Sequence, residues 1–314
     1  MAGALAGWAA GRLAGADRLR FAEAWTVPLV SFTPQVTAGA WAGAALLRGA
    51  GPAAVAAVAA AALTAVVGPR AVPGRPPTAG GPVLRVVTAN LLAGRAVPEG
   101  VVELAGKLRA DVLFVQELTG PAAAGLARAG LGDLLPHRVT QPAPRDATGS
   151  IYARYPLRGG PLPGGPAPAA RCAARLDLPS GPSVQLACIH AAPPKPPWFP
   201  AATARWRAHL AALPAPAAEG PCILAGDFNA TLDHAQFRRL LRSGWADAAS
   251  LAGRGLSMTW GPLPARRPAL LAIDHVLTDP RCGVRTTSVH RLAGTDHRAL
   301  YAELQLPAPH HQAG

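Results

Sequence analysis

Short apolar runs with the alternating pattern of β-strands recur from residue 83 toward the end of the chain, separated by segments with helical spacing. The run VLRVVTAN at 83–90 ends on a polar residue, Val101–Arg109 has apolar residues at helical intervals, and DVLFVQEL at 111–118 is again strand-like. Further strands are predicted at 150–155, 184–190, 222–229, 272–278 and 299–306, and further helices at 203–213 and 234–241. This alternation predicts a mixed α/β domain built from layers of sheet and helix.

Polar and acidic side chains recur where these apolar strands are predicted to end. A rigid strand fixes such a side chain while the following loop leaves it exposed, so strand ends are where sheet scaffolds hold functional groups. Six such places predict one shared site. The residues are Asn90, Glu117, His190, Asp227, Asn229, Asp274, Asp296 and His297.

Four of these residues suit the metal-assisted hydrolysis of a phosphoester. Glu117 and Asp296 are carboxylates, the hard oxygen ligands that Mg²⁺ and Mn²⁺ prefer. Asp227 and Asn229 lie two apart in an extended segment, so a carboxylate and an amide can converge on one attacking water or phosphate oxygen. A metal at such a site neutralises phosphate charge and polarises the phosphorus.

His297 is the candidate for phosphate contact or acid–base catalysis, and Asp274 is the candidate for fixing its tautomer. Each residue also has a plain structural interpretation. Glu117 alone is a solvated strand end, His190 alone is a hydrogen-bonded structural histidine, and the tetrapeptide GDFN is a turn. The joint presence of all of them, in this order, favours a catalytic site.

The first 70 residues differ from the rest because they contain two long stretches without charge. Trp25–Leu47 and Gly49–Gly68 are each about as long as the roughly 20 residues a helix needs to cross a membrane. A tight turn is predicted between them, and Met1–Ala16, which carries Arg12, is a weaker third span or an interfacial segment. The alternatives are a cleaved signal peptide and a buried pair of helices in a soluble protein.

A stretch dense in proline and glycine, Arg70–Pro82, predicts a linker between this region and a second domain. We therefore expect a hydrophobic membrane region of two or three helices at 1–70, a linker at 71–82, a catalytic domain at 83–306 and a tail at 307–314. The expected location is the cell membrane, with more than one span.

Charge and cysteine usage narrow the classes of partner and cofactor. After residue 80 the chain carries 24 basic and 15 acidic residues, a net charge of +9. This favours an anionic partner, whether nucleic acid, a phosphorylated small molecule or an acidic lipid surface. The four cysteines lack metal-ligand spacing, which argues against a structural zinc site.

Six blocks of the sequence resemble the successive signatures of the endonuclease/exonuclease/phosphatase (DNase I-like) superfamily. They are VVTANLL, DVLFVQEL, LACIHAAP, ILAGDFNA, IDHVL and GTDHRAL, which together cover about 83–306. The resemblance implies a four-layer α/β sandwich, with two packed sheets flanked by helices and preceded here by the transmembrane helical region. It also implies a metal-dependent phosphoric ester hydrolase with Mg²⁺ or Mn²⁺ as cofactor.

By motif position, the resemblance assigns a role to each candidate residue. Asn90, Glu117 and Asp296 would bind or support the metal. Asp227 would orient the nucleophilic water beside Asn229, His190 would contact phosphate, and His297 paired with Asp274 would complete the site. The sequence departs from the family pattern at Ala187–Cys188, at Ala272, where many relatives have arginine, and at Ala153. These departures affect the substrate more than the reaction class.

The order of hydrophobic region, linker and catalytic domain resembles a membrane-bound bacterial subgroup of this family that includes the teicoplanin-resistance membrane protein. That resemblance implies an exoplasmic catalytic domain acting on a phosphorylated lipid such as an isoprenyl pyrophosphate. The loop after His190 offers Trp198, Phe199 and Trp206 among basic residues, as expected of a lipid-facing surface, or as aromatics folded into the domain. A membrane-tethered or secreted nuclease and a catalytically silent phospholipid-binding sensor are the alternatives.

Overall fold

A computed structural model describes the chain except for residues 20, 75–79, 142–147, 163–164, 166, 196–197, 219, 264–266 and 309–314. Most of the predicted tail therefore lies outside the described residues. The helices are α1 Ala2–Ala14, α2 Glu23–Val30, α3 Thr33–Leu46, α4 Ala50–Val67, α5 Pro98–Lys107, α6 Gly120–Arg128, α7 Leu131–Leu134, α8 Pro200–Ala211, α9 Ala235–Arg242 and α10 Ala248–Leu251.

In the described part of the chain, twelve strands form two six-stranded sheets. The first sheet has the order β11-β12-β1-β2-β4-β3 and the second has the order β5-β6-β7-β8-β10-β9. The strands of the first are β1 Val83–Asn90, β2 Val112–Leu118, β3 His137–Gln141, β4 Thr148–Ala153, β11 Gly283–Arg291 and β12 Arg298–Gln305. Those of the second are β5 Leu157–Gly159, β6 Ala170–Leu176, β7 Val184–His190, β8 Cys222–Asp227, β9 Ala246–Asp247 and β10 Asp274–Thr278.

The two sheets pack face to face and helices cover both outer faces. Phe114 of β2 and Ile223 of β8 belong to the apolar core between the sheets. Val101 of α5 packs on the outer face of the first sheet, and Trp206 of α8 and Phe237 of α9 pack on the outer face of the second. The expected four-layer α/β sandwich is therefore confirmed.

Every strand and helix predicted after residue 83 is present, with ends that differ by a few residues. The prediction missed β3, β5, β6, β9 and β11. Strands β3 and β11 are the two edges of the first sheet, and polar residues interrupt the apolar pattern of both, as in HRVTQ and GVRTTSVHR. Edge strands present a solvated side, so hydrophobic periodicity is a weak signal for them.

The N-terminal region differs from the expected pair of spanning helices. The uncharged stretch Trp25–Leu47 is divided between α2 and α3, with Pro34 in the first turn of α3. Pro28 lies inside α2, which ends two residues later, and proline is favoured in the first turn of a helix, so the chain begins a new helix at α3. Among the described residues only Ala50–Ala71 is long and apolar enough to cross a membrane by length and composition, and a multi-pass location is not supported.

Buried ion pairs join this helical region to the sandwich domain. Arg12 at the end of α1 and Arg70 after α4 both donate to the carboxylate of Asp233, at 2.7 Å and at 2.6–2.7 Å. All three side chains are buried. The stretch after Arg70 also contacts the domain, where Gly74 N donates to Leu251 O. The described part of the predicted linker thus packs against the domain that follows it.

Candidate active site

Strand register brings the central residues of the site together. His190 pairs with Asp227 across the parallel strands β7 and β8, and Asp274 pairs with Asp227 across the antiparallel strands β10 and β8. Asp227 is therefore flanked on both sides by candidate residues. Asp274 opens β10, and Asp296 and His297 precede β12, so these three residues do not end strands as predicted. Their strands run antiparallel to β8 and β1, which brings their beginnings to the same edge.

A hydrogen-bonded chain connects Asn90, Glu117 and Asp227 across the gap between the sheets. Asn90 Nδ2 lies 3.1 Å from Glu117 Oε1 and 3.1 Å from Asp227 Oδ2. The side-chain amide of Asn229 lies 3.3 Å from Asp227 Oδ2 and also donates to Ala191 O. The convergence of a carboxylate and an amide anticipated for the GDFN segment is present.

The backbone is strained at two of these positions. Glu117 and Asn229 have φ values of 56° and 48°, in the left-handed region that residues with a Cβ seldom adopt. A β-bulge in β2 accompanies the first, between Val115 and Leu118. A Cβ at Gly226 would lie 2.0 Å from Ile189 O, so only glycine allows β8 to approach β7 beside the site. Strain of this kind is common where a fold holds catalytic groups.

His297 lies between two carboxylates. Its Nδ1 is hydrogen-bonded to Asp274 Oδ2 at 2.9 Å, as expected, and its Nε2 lies 3.7 Å from Asp227 Oδ2. Burial lowers the pKa of His297, but Asp274 and Asp227 outweigh it and raise that pKa to about 10. Burial raises the pKa of Asp227 to about 7, and the charge of Asp274 adds to the rise. The site thus holds a protonated His297 beside Asp227, and burial disfavours the charged form of the Asp227 carboxylate.

His190 closes the opposite side of the site. Its Nε2 lies 3.6 Å from Glu117 Oε1 and 3.9 Å from Asp227 Oδ2. Burial lowers the pKa of His190 to about 4, with further lowering from the charges of Arg171 and His297. The two histidines therefore differ in charge at neutral pH, one neutral and one protonated, which is a common arrangement of groups with separate tasks.

Asp296 is held by an interaction that sequence analysis did not identify. Trp260 Nε1 donates to Asp296 Oδ2 at 3.0 Å, while the other oxygen, Oδ1, is buried and has no hydrogen-bond partner among the described residues. Thr295 Oγ1 donates to Asn90 O at 2.9 Å and ties the Asp296 loop to β1. The sequence around Trp260 does not indicate this role, because Trp260 and Asp296 are 36 residues apart in the chain.

Arg171 is a second residue of the site that the sequence did not reveal. It lies at the start of β6, half-buried, and its Nε donates to the backbone oxygen of His190 at 3.1 Å. Within the described residues Arg171 forms no ion pair, whereas Arg175 on the same strand is paired with Asp177. Burial lowers the pKa of Arg171. The available sequence signal was its position in the largely apolar strand ARCAARL, because burying a charged side chain is costly.

The residues present suit a divalent cation. Four carboxylates, those of Glu117, Asp227, Asp274 and Asp296, meet at one edge of the sandwich, and the unpartnered Asp296 Oδ1 is a free anionic ligand. One atom each of Asp227, Asp274 and His297 lie within 4.8 Å of one another. That group differs from the predicted set of Asn90, Glu117 and Asp296. Asp274 Oδ1, like Asp296 Oδ1, is buried without a hydrogen-bond partner among the described residues, whereas both oxygens of Glu117 accept hydrogen bonds from Asn90 and Ala93.

The three aromatic residues that follow β7 differ in their exposure to solvent. Trp198 and Phe199 are exposed, at 71% and 54%, whereas Trp206 lies within α8, is 2% exposed and packs in the apolar core. Trp206 Nε1 donates to Phe228 O. The expected lipid-facing set is therefore wrong for Trp206, whose place is in the core.

Comparison with known proteins agrees with the fold. The model of the endonuclease/exonuclease/phosphatase family matches residues 87–297, and the chain belongs to this family. Similar solved structures include a family member from Beutenbergia cavernae (TM-score 0.52, 18% identity, 72% of each chain covered) and one from Bacteroides vulgatus (TM-score 0.52, 17% identity, 72% of this chain and 99% of that one). A third is D. rerio TDP2 complexed with a single-strand DNA product (TM-score 0.50, 15% identity, 71% and 98% covered).

No curated protein matches the chain. Members of this family are hydrolases that act on phosphoester bonds, and they generally use a divalent metal. The fold and the site therefore define a phosphoesterase- or nuclease-type hydrolase.

Proposed function

We propose that this protein is a membrane-anchored, divalent-metal-dependent phosphoesterase whose substrate is a phosphorylated or pyrophosphorylated lipid. The observation that carries the proposal is the joint presence of a complete acidic and histidine site and an 18-residue apolar helix, α4, docked on the same domain. A soluble substrate does not require such a helix. An exoplasmic catalytic domain, as in the membrane-bound subgroup of the family, belongs to this proposal.

In this proposal, each of three side chains has a separate role in hydrolysis. Asp227, with its raised pKa and its contact to Asn229, orients the attacking water and can accept a proton from it. His297 is held in one orientation by Asp274 and presents Nε2 to the phosphate as a cation. The neutral His190 donates a hydrogen bond to a phosphate oxygen.

Asn90, Glu117 and Asp296 would hold the metal, Mg²⁺ or Mn²⁺. A bound metal supplies charge neutralisation at the phosphate. Trp260 fixes the carboxylate of Asp296 in the orientation needed for this. Arg171 carries a positive charge beside His190 that no carboxylate neutralises among the described residues, which suits a second phosphate group of the substrate.

Phosphate release by the full chain in detergent tests the proposal. An isoprenyl pyrophosphate and plasmid DNA are compared with and without Mg²⁺, alongside Asp227→Ala and His297→Ala. We expect metal-dependent release from the lipid and its loss in both variants. Nicking of DNA alone would replace the lipid phosphatase with a tethered nuclease, and unaltered release by Asp227→Ala would refute the assigned site.

A nuclease is the second candidate. It is favoured by the net charge of +9 after residue 80 and by the single-strand DNA product in the similar D. rerio structure. A silent sensor is the weakest candidate, because all eight predicted residues are present and those with catalytic roles lie at one edge of the sandwich.

A further inference from the structure

The N-terminal helices form a bundle whose base is charged and whose apolar middle carries no charge. Helices α1, α3 and α4 pack together, and the side chains of Met1 and Leu5 reach Gly43 near the far end of α3. At the other end, Arg12 and Arg70 meet Asp233. Between base and tip no charged side chain occurs at 1–11, 33–47 or 49–69, and at the tip the turn between α3 and α4 carries the exposed Arg48.

The base of this bundle lies at the rim of the active site. Asp233 follows Asn229 by four residues, in the loop that leaves β8. Gln35 in the first turns of α3 donates to Leu270 O, in the loop that leads to Asp274. The bundle therefore touches two of the loops that carry catalytic residues and holds them from one side.

The apolar surface of the catalytic domain is confined to the same edge. Among the described residues after 83, five large apolar side chains are exposed, and each lies in a loop that opens at the active-site edge of the sheets. They are Val97 in the loop after β1, Trp198 and Phe199 in the loop after β7, and Leu263 and Leu270 in the loop before β10.

The opposite edge of the sandwich has a different character. The turn between β6 and β7 carries Asp177, which is paired with Arg158 and Arg175, and the exposed Ser180. Asp279, at the far end of β10, is paired with Arg281. The described exposed large apolar side chains of the domain thus surround the active site, whereas the opposite edge carries ion pairs, and the two ends of the strands differ in surface character.

We infer that the active-site edge lies against the lipid head groups, with the helical bundle inserted into the bilayer beside it, so that the site receives its phosphate from the membrane surface. The inference rests on the proposed function for its substrate but concerns the orientation of the domain. Lipid is the fitting occupant because Ala50–Ala71 is only 28% buried by protein and has a mean hydropathy of 2.0. Lys195, whose Nζ lies 5.8 Å from the ring of Phe199, is placed for contact with anionic head groups.

Depth measurement with matched labels tests this orientation. The four native cysteines are all buried, so Trp198→Cys and Ser180→Cys each provide one accessible thiol for a polarity-sensitive fluorophore. The two positions lie at opposite ends of β7. Full-length protein is reconstituted in vesicles of phosphatidylcholine and phosphatidylglycerol, with and without lipids that carry a quencher near the head group.

We expect a blue shift and strong quenching for the label at 198 and neither for the label at 180. Equal quenching at both positions, or quenching at 180 alone, would overturn the inference. A shift at 198 that depends on protein concentration and occurs without lipid would assign the surface to a second copy of the chain instead.

Activity separates failure of the inference from failure of the proposed function. In the same vesicles, hydrolysis of an embedded isoprenyl pyrophosphate is compared with that of a short-chain, water-soluble analogue, for the native chain and for Trp198→Ser. We expect the substitution to reduce only hydrolysis of the embedded substrate. Hydrolysis of neither substrate by the native chain would refute the function and leave the quenching result to stand, whereas an equal loss on both would contradict the orientation.

Discussion

Asp274 and His297 form the shortest contact between a carboxylate and an imidazole in the site, with Oδ2 and Nδ1 2.9 Å apart. The other carboxylates near this ring lie 3.7 and 3.9 Å from Nε2. Asp274 therefore fixes which nitrogen of His297 faces the substrate.

Replacing Asp274 by Asn removes that charge while keeping the shape of the side chain. We expect kcat to fall by about a hundredfold or more, the usual effect of losing support for an acid–base group. Steady-state hydrolysis by full-length protein measures it. Asp279→Asn, at the other end of β10, is the matched control and should leave kcat unchanged; an equal loss in both would point to a structural effect.

Arg171→Met removes the unpaired guanidinium beside His190. Its loss should raise KM more than it lowers kcat, because a group that binds a distant phosphate acts on bound substrate and transition state alike. The control is Arg175→Met on the same strand, where the charge is already paired with Asp177. A fall in kcat at constant KM would assign Arg171 to the chemical step instead.

Trp260→Phe deletes the hydrogen bond to Asp296 and keeps the aromatic ring. The metal concentration that gives half-maximal activity should rise by about 10- to 100-fold, the range found when a partner of a metal ligand is lost. Metal titration of activity and of thermal stability measures the change. In Trp245→Phe, which loses only a bond to Pro214 O, the titration should match that of the native chain.

Asp233→Ala leaves the guanidinium groups of Arg12 and Arg70 buried without a partner. We expect the free energy of unfolding to fall by about 3–5 kcal/mol, because the buried guanidinium groups would no longer have a carboxylate to offset their desolvation. Chemical denaturation in detergent measures the change. Replacing all three residues by Met or Leu should restore most of the loss, and Asp177→Ala at a surface pair should cost far less than Asp233→Ala.

Stability should also depend on pH through His275, which is buried and binds Asp247 Oδ2 and Ala230 O, each at 2.8 Å. Burial lowers the pKa of His275, but Asp247 outweighs it and holds that pKa above the ordinary 6.5. A raised pKa means that the contribution is complete below pH 6.5 and is lost as pH rises through the folded value. Thermal midpoints from pH 6 to 9 should fall in the native chain and fall less in His275→Gln.

The alternation of apolar runs was sufficient to predict the layered sandwich, because β1, β7 and β8 are largely buried on both faces and have predominantly apolar sequences. The motif residues were likewise readable, since Asn90 and Asp227 end such strands. Arg171 and Trp260 were not, because their roles depend on contacts with residues far along the chain. The interruption at Pro34 was visible in sequence, but hydrophobicity alone had suggested a continuous helix.

The ion pairs at Asp233 also impose an order on biosynthesis. They join residues separated by 221 and 163 positions, so Arg12 and Arg70 leave the ribosome long before their acidic partner exists. Until then, the two guanidinium groups that flank the apolar helices lack the carboxylate that pairs with them in the folded chain. When the domain is complete, Asp233 pairs with both guanidinium groups. The N-terminal region can therefore reach its final fold only after β8 and the loop that follows it have been synthesised.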